Sequence, residues 1–200
     1  MARAALVLSI AIPAAGAAPF ALLDGDIVFQ EARSPQTEAI QRATHSRFSH
    51  MGMVFRVNGA WFVFEAIQPV TMTPLESWAA RGAGGHYTVK RLRGAAGTLT
   101  DAALVKMREA GAGYIGRPYD IYFGWADDRL YCSELVWKVY RYGPGIELCP
   151  LRRIRDFDLS HPVVKGTLFE RYGNAVPLDE PAVSPGDIFD SPLLETVYER

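Results

Sequence analysis

The sequence predicts an α+β fold in which a small antiparallel sheet, or half-barrel, packs against helices. Helices and strands cluster along the chain without regular alternation, and no strand–helix–strand unit of a parallel sheet is recognisable. One long hairpin is predicted instead, because apolar runs at residues 51–57 and 61–64 flank Asn58-Gly59. Asn-Gly between two such runs is the strongest short hairpin signal. Together these features favour an antiparallel sheet.

The other elements follow from local patterns of caps and apolar spacing. Strands are predicted over residues 25–29, 87–92 and 184–189, and helices over residues 37–45, 74–81, 100–112 and 132–142. Ser34 and Pro35 predict the cap and the first position of the first helix. Gly113 and Gly143 predict the ends of the last two helices, because glycine commonly terminates a helix. Residues 150–181 carry no pattern that assigns them.

The first residues have the layout of a secretory signal peptide. Arg3 supplies a positive charge, residues 4–18 are uncharged and mostly apolar, and small residues at 14–18 fit a cleavage site. This apolar stretch is shorter than the roughly 20 residues that a membrane span needs. We therefore expect a signal peptide over residues 1–18, export to the periplasm or the medium, and a single domain over residues 19–200.

Charge and composition exclude several classes of function. The chain of 200 residues has a formal net charge of −1, and its basic residues are scattered, so no nucleic-acid partner is expected. The spacing of His45, His50, His86 and Cys132 matches no zinc pattern, and we expect no metal. No glycine-rich loop lies between a strand and a helix, so no phosphate-bearing cofactor is expected either.

Cys132 is the candidate nucleophile. An apolar stripe with the spacing of one helical face runs along the predicted helix at Cys132, Leu135, Val136, Val139 and Tyr140. The thiol therefore faces the core from the first turn, where free N–H groups and the helix dipole favour a thiolate. An ordinary buried cysteine remains the alternative, because cysteine often packs as a small apolar residue.

The hairpin register brings a histidine next to a carboxylate. If the loop has two residues, counting outward from it sets His50 and Gly52 on the same sheet face as Glu65. His50 and Glu65 are then diagonal neighbours within side-chain reach, and Gly52 leaves room above the sheet. A carboxylate at this place would orient the imidazole and stabilise its protonated form. An exposed Glu65 at the end of a strand remains the alternative.

Several short motifs together resemble the permuted papain-like amidases of the YiiX/YaeF type, within the wider group of NlpC-like cell-wall peptidases. The motifs are GDIVF at 25–29, SHMGMV at 49–54, FEA at 64–66, PYD at 118–120, the acidic pair at 127–128 and YCSELV at 131–136. Unpermuted members carry the cysteine before the histidine. Here His50 and Glu65 precede Cys132, which is the order of the circularly permuted branch.

The resemblance implies a papain-like core in which the cysteine helix packs on a small antiparallel sheet. It implies that Cys132 is the nucleophile, His50 the base and Glu65 the third polar residue. It also implies that Tyr131 and Tyr119 line the substrate cleft, with ordinary packing in the core as the alternative for both residues.

The expected reaction is cleavage of a peptide or N-acyl amide through a thioester on Cys132, with cell-wall material as one substrate class. Relatives of lecithin retinol acyltransferase share the permuted architecture, so a lipid-directed acyl hydrolase or acyltransferase is a second reading. A non-catalytic binding module that keeps the cleft is a third. The expected partner is an amide- or acyl-containing substrate, and membrane association is left open but not indicated.

Overall fold

The computed structural model describes residues 20–200, so the predicted leader at 1–18 lies outside the described residues. Six antiparallel strands form the main sheet, and a short strand pair forms a second one. The main strands are β1 (Ile27–Gln30), β2 (His50–Val57), β3 (Ala60–Glu65), β4 (Thr71–Pro74), β5 (Thr88–Leu92) and β8 (Leu194–Glu199), and the short pair is β6 (Arg152–Arg153) with β7 (Pro181–Ala182). The order across the main sheet is β4-β3-β2-β1-β5-β8.

Seven α-helices accompany these sheets in the described part of the chain. They are α1 (Thr37–Thr44), α2 (Leu75–Ala80), α3 (Ala95–Thr98), α4 (Asp101–Ala112), α5 (Cys132–Tyr142), α6 (Pro162–Tyr172) and α7 (Pro185–Phe189). None of the helices within residues 20–200 combines the length and the apolar character that a membrane span requires.

The predicted hairpin and its register are confirmed. Val57 lies opposite Ala60, and the two loop residues both have positive φ, 49° at Asn58 and 84° at Gly59. A two-residue loop with this backbone matches the right-handed twist of the strands that it connects. The register of β2 against β3 is therefore the one that the loop residues predict.

Both faces of the main sheet are buried, which explains why β2 is a nearly continuous apolar run. Met53 and Phe55 on one face pack in the same core cluster as Leu135 of α5. Val54 on the other face packs in a second cluster with Trp78 of α2. A strand that is covered on both faces loses the alternation of apolar and polar residues that a half-exposed strand has.

Helix α5 is buried over its whole length up to Tyr140, and not only along the predicted apolar stripe. Its opposite side carries Glu134 and Lys138, whose charged groups lie 2.7 Å apart. Lys138 also reaches Asp127 of the acidic motif, at 2.7 Å. Because buried polar and charged groups require partners, these contacts of Lys138 allow the helix to be covered on all sides.

The Gly-Asp motif before β1 connects the sheet to α5. Asp26 is buried and receives two hydrogen bonds of 2.7 Å from the Arg91 guanidinium on β5. The Tyr140 hydroxyl donates to the carbonyl of Gly25 at 2.5 Å. These contacts assign the motif a structural role, because they fix the sheet against the helix that begins at Cys132.

The strand predicted over residues 184–189 is wrong, because this segment forms α7. Ser184 caps the helix by accepting from the backbone N–H of Asp187 at 3.0 Å, and the Asp187 carboxylate accepts from the Ser184 N–H at 2.8 Å. Pro185 occupies the first helical position, where its missing N–H has no cost. The closing strand is β8, which pairs with β5.

The cap predicted for α1 is also wrong. The helix begins at Thr37, and Gln36 precedes it with a helical φ of −88° and no side-chain cap. The Thr37 hydroxyl instead donates to the carbonyl of Ala32 at 2.8 Å, so Ser34 and Pro35 belong to a turn before the helix. Helix α4 begins at Asp101, one residue after the predicted start, and Thr100 is its cap, which accepts from the N–H of Ala103.

Candidate active site

His50 and Glu65 form a buried hydrogen-bonded pair on the face of the sheet that α2 covers. His50 Nε2 and Glu65 Oε2 lie 2.6 Å apart, and the Trp78 ring of α2 lies beside the imidazole with ring centroids separated by 6.2 Å. The side chain of His50 is 12% exposed and that of Glu65 is fully buried. The predicted juxtaposition of the two residues is therefore confirmed, whereas the alternative of an exposed Glu65 is wrong.

Gly52 provides the space that this pair needs. A Cβ atom at this position would lie 2.5 Å from Val63 Cγ1, 2.7 Å from the carbonyl oxygen of Phe64 and 3.3 Å from Glu65 Cβ. Any larger residue would collide with the backbone and side chains of β3. The glycine thus allows β2 and β3 to approach closely where they carry His50 and Glu65.

Three groups hold the Glu65 carboxylate. Its Oε2 accepts from His50, and its Oε1 accepts from the Thr73 hydroxyl at 2.5 Å and from the Arg81 guanidinium. Burial alone would raise the pKa of Glu65, but the hydrogen bonds and the charge of His50, together with Thr73 and Arg81, lower it below its ordinary value. The carboxylate is therefore ionised at neutral pH.

Cys132 is buried at the first position of α5, and His50 is the first residue of β2. The side chain of His50 has two neighbours that act on its charge, Glu65, to which it is hydrogen-bonded, and Cys132. Burial lowers the pKa of His50, yet its interactions with these two residues raise it from 6.5 to about 9. Because Nε2 faces Glu65, Nδ1 is the ring nitrogen left for the thiol. The structure thus brings all three predicted residues together.

Tyr119 lies beside Cys132, and its hydroxyl is hydrogen-bonded to Gln36 of the segment before α1. Gln36 Nε2 donates to the Tyr119 hydroxyl at 3.0 Å, and Gln36 Oε1 accepts from Arg171 at 2.9 Å. Burial, followed by the negative charge of Cys132, raises the pKa of Tyr119 above its ordinary value. The hydroxyl therefore keeps its proton, and because it accepts from Gln36, that proton is available to a second acceptor.

The loop that carries Tyr119 is fixed by the following residue. The Asp120 carboxylate is buried and accepts from the N–H groups of Tyr122 at 2.9 Å and Gly124 at 2.7 Å. The backbone of Asp120 in turn donates to the carbonyl of Leu130 at 3.0 Å, two residues before Cys132. These bonds tie the PYD motif to the start of α5.

Tyr131 also borders the site, but its hydroxyl already has a backbone partner. It accepts from the N–H of Val183 at 3.2 Å, and its ring contacts the Phe123 ring edge-on with centroids 5.2 Å apart. Burial raises the pKa of Tyr131 well above its ordinary value. Tyr131 lines the cavity beside Cys132, and its polar end is bound to the protein.

An apolar cavity of about 110 Å³ opens beside Cys132. Its walls come from α1, α6 and the segment at residues 182–185, and they include Ile40, Ala43, Val164, Leu168 and Val183. Gln36, Tyr119 and Arg171 lie among the polar lining residues. The region after residue 150, most of which carries no assignable sequence pattern, thus supplies about half of the residues that line this cavity.

Sequence reasoning missed the groups around Glu65 and the cavity beside Cys132. A buried carboxylate among aromatic residues signals that a cationic partner exists, but nothing in the chain spacing identifies Arg81 as that partner. The cavity gives a weaker signal in the sequence, since Ile40 and Ala43 are apolar residues three apart on α1. Its other wall, on α6, comes from a helix that the sequence pattern does not reveal.

A family model described as permuted papain-like amidase enzyme, YaeF/YiiX, C92 family, matches residues 21–198. The uncharacterized protein YiiX of Escherichia coli strain K12 is 46% identical over 176 residues, which cover 88% of this chain and 86% of that protein. A crystal structure described as metalloprotein YiiX from Escherichia coli O157:H7 superposes with a TM-score of 0.84. That alignment is 46% identical and covers 88% of this chain and 97% of the other.

Proposed function

Because this chain belongs to the family of permuted papain-like amidases that includes YaeF and YiiX, we propose that it is a cysteine hydrolase acting on an amide bond. The observation that carries the proposal is the position of His50 between Glu65 and Cys132 in a buried site. Nucleophile, base and orienting carboxylate are the parts that acyl transfer through a thioester requires. The family supports a papain-like hydrolase, and the individual roles of the three residues are the proposal.

In the first half of the reaction, His50 is protonated at neutral pH, since its pKa is raised to about 9, and it pairs with the Cys132 thiolate. The sulfur attacks the carbonyl carbon of the substrate, and the electron pair of the C=O bond moves to its oxygen. The tetrahedral intermediate then collapses, the C–N bond breaks, and the leaving nitrogen takes the proton from His50. The products are a free amine and an acyl thioester on Cys132.

The oxyanion needs two donors. The backbone N–H of Cys132 is one, because N–H groups in the first turn of a helix have no partner within the helix. Tyr119 is the second, since its hydroxyl accepts from Gln36 and keeps its own proton free for the substrate oxygen. Both groups are in place before the substrate binds, so the oxyanion is stabilised without reorganisation of the site.

Neutral His50 then accepts a proton from water, and the resulting hydroxide attacks the thioester carbonyl. Collapse of this second intermediate releases a carboxylic acid and returns the electron pair to sulfur. Glu65 keeps the imidazole oriented through Nε2 in both halves of the reaction. Acyl transfer to an amine or an alcohol in place of water would use the same groups.

The cavity beside Cys132 favours a second candidate, a lipid-directed acyl hydrolase or acyltransferase. Its apolar walls suit the hydrocarbon part of an N-acyl or ester substrate better than a charged peptide. Incubation with N-acyl lipids and with muropeptides separates the candidates, because fatty-acid release supports the lipid substrate whereas new amino groups on muropeptides support a cell-wall peptide.

Export, inferred from the leader, makes both substrates accessible, and cell fractionation tests it.

The description of the Escherichia coli O157:H7 relative as a metalloprotein raises the question of a metal here. Within residues 20–200, no three or more His, Cys, Asp or Glu side chains group as metal ligands. The carboxylate of Glu65 is already bound by Arg81 and Thr73. The described residues do not fit a metal centre, and every proposed step uses side chains and backbone of this chain.

Labelling with iodoacetamide at mildly acidic pH tests the thiol chemistry. An ordinary thiol is almost fully protonated there and reacts slowly, whereas an imidazolium-paired thiolate reacts. Cys149 is the internal control, because burial raises the pKa of its thiol to about 12. We expect label on Cys132 alone, and loss of amide hydrolysis in Cys132→Ala. If iodoacetamide labels Cys132 as slowly as Cys149, the result would support a non-catalytic binding module instead.

A further inference from the structure

The carboxylate of Glu65 has a second charged neighbour besides His50. Its Oε1 accepts from Thr73 at 2.5 Å and from Arg81, and the Glu65 side chain has no exposed surface. A carboxylate buried at this depth would take up a proton unless cations and donors compensate its charge. His50 compensates the charge of Glu65 only while its ring is protonated, and the ring gives up its proton during each turnover. Arg81 keeps its charge throughout, because a guanidinium is not deprotonated in proteins.

Arg81 directly follows the helix that covers His50. Trp78 of α2 is fully buried and lies against the imidazole, and Arg81 is the residue that ends α2. Helix α2 and its C-cap therefore position both the Trp78 ring beside His50 and the Arg81 guanidinium beside Glu65. The Arg81 side chain is 43% exposed, so its charge is partly solvated, while its guanidinium reaches the buried carboxylate.

We propose that Arg81 is a positioning residue for the His50–Glu65 pair, which keeps Glu65 ionised and limits how strongly Glu65 holds the proton on His50. This inference rests on the proposed thiol chemistry of Cys132 and deepens it. The physical reason is that a permanent positive charge on Oε1 weakens the field of the carboxylate at the imidazole. A proton held less firmly is transferred more readily to the leaving nitrogen.

Three charged groups from three different elements act on His50. Glu65 of β3 and the Cys132 thiolate of α5 favour the protonated ring. Arg81, which binds the other carboxylate oxygen of Glu65, carries a positive charge that acts against protonation of the ring. Removal of the positive charge therefore raises the pKa of His50. Because the charge of Arg81 is partly solvated and Glu65 lies between it and the imidazole, the expected rise in the pKa of His50 is about 0.5 to 1 pH unit.

The test is an NMR titration of the His50 ring in the full chain and in Arg81→Gln. We expect the midpoint to rise in the variant, together with a shift of the falling limb of amide hydrolysis to the same higher pH. Arg81→Lys keeps the charge and is expected to hold the midpoint near that of the unchanged protein. A midpoint that stays the same or falls in Arg81→Gln would overturn the proposal.

Arg108→Gln is the matched control. Arg108 is 39% exposed and pairs with Asp24 at 2.7 Å, so it resembles Arg81 in exposure and in having one carboxylate partner. It lies on α4, and its loss is expected to leave the His50 titration unchanged. If His50 titrates near its ordinary value in the unchanged protein, the proposed function fails. If it titrates near 9 and Arg81→Gln does not move it, only the role of Arg81 fails.

Discussion

His50 Nε2 and Glu65 Oε2 are 2.6 Å apart, and the side chain of Glu65 is fully buried. This contact assigns different tasks to the two ring nitrogens. Nε2 is held by the carboxylate, and Nδ1 is left for the sulfur of Cys132. The contact also concentrates opposite charges at one place, and the pH dependence of the protein follows from it.

We expect hydrolysis and stability to decline together at alkaline pH. The pKa of His50 is raised from 6.5 to about 9, so the charged ring stabilises the fold fully below its unfolded value of 6.5. That contribution is lost as the pH rises through about 9, where the ring also loses the proton that the leaving group needs. A pH–rate profile and urea unfolding at neutral and alkaline pH measure the two effects. A free energy of unfolding that stays constant between neutral and alkaline pH would contradict the ion pair of His50 with Glu65.

Glu65→Gln should reduce kcat by about 10²- to 10⁴-fold while leaving KM nearly unchanged. The amide keeps the size of the side chain but removes the negative charge, so the imidazolium is no longer stabilised. The pKa of His50 should fall, which NMR titration of the ring measures. Steady-state kinetics on an amide substrate measure the rate. A variant with full activity and an unshifted His50 would show that Glu65 is only structural.

Gly52→Ala is expected to destabilise the protein by about 1–3 kcal/mol. The new methyl group would lie 2.5 Å from Val63 and would push β3 away from β2. Activity of the folded fraction should fall as well, because Glu65 is carried by the displaced strand. Gly166→Ala in α6 is the matched control, since a Cβ there meets nothing within 4 Å. That control should be neutral or stabilise the helix by up to about 1 kcal/mol. Urea denaturation of both variants measures the difference.

Ile40→Trp should fill part of the apolar cavity that borders Cys132. If an acyl chain occupies this cavity, kcat/KM for long-chain acyl amides should drop by about 10-fold or more, because apolar contacts are lost. Short-chain amides should be affected much less. The comparison of several chain lengths, in the variant and in the unchanged protein, measures this selectivity. An equal loss for all lengths would instead indicate a general disturbance of α1.

The sequence by itself determined the hairpin of β2 and β3 and the helix that carries the Cys132 thiol. Asn58-Gly59 permits a two-residue loop, the loop sets the register, and the register puts His50 beside Glu65. The apolar spacing and the terminal glycine define the helix from Cys132. Each of these is a local property, since turn geometry and side-chain periodicity act within a few residues.

Only the tertiary structure decided what surrounds these residues. Arg81 reaches Glu65 across 16 positions in the chain, and Arg171 reaches Gln36 across 135. The cavity wall on α6 comes from a segment with no assignable pattern, and the wall at residues 182–185 leads into α7, which replaced a predicted strand. Such contacts result from the packing of distant surfaces and the pairing of buried charges, which leave no spacing in the sequence. The physical reason is that burial depends on which segments meet in space, and periodicity within one segment does not specify its partner.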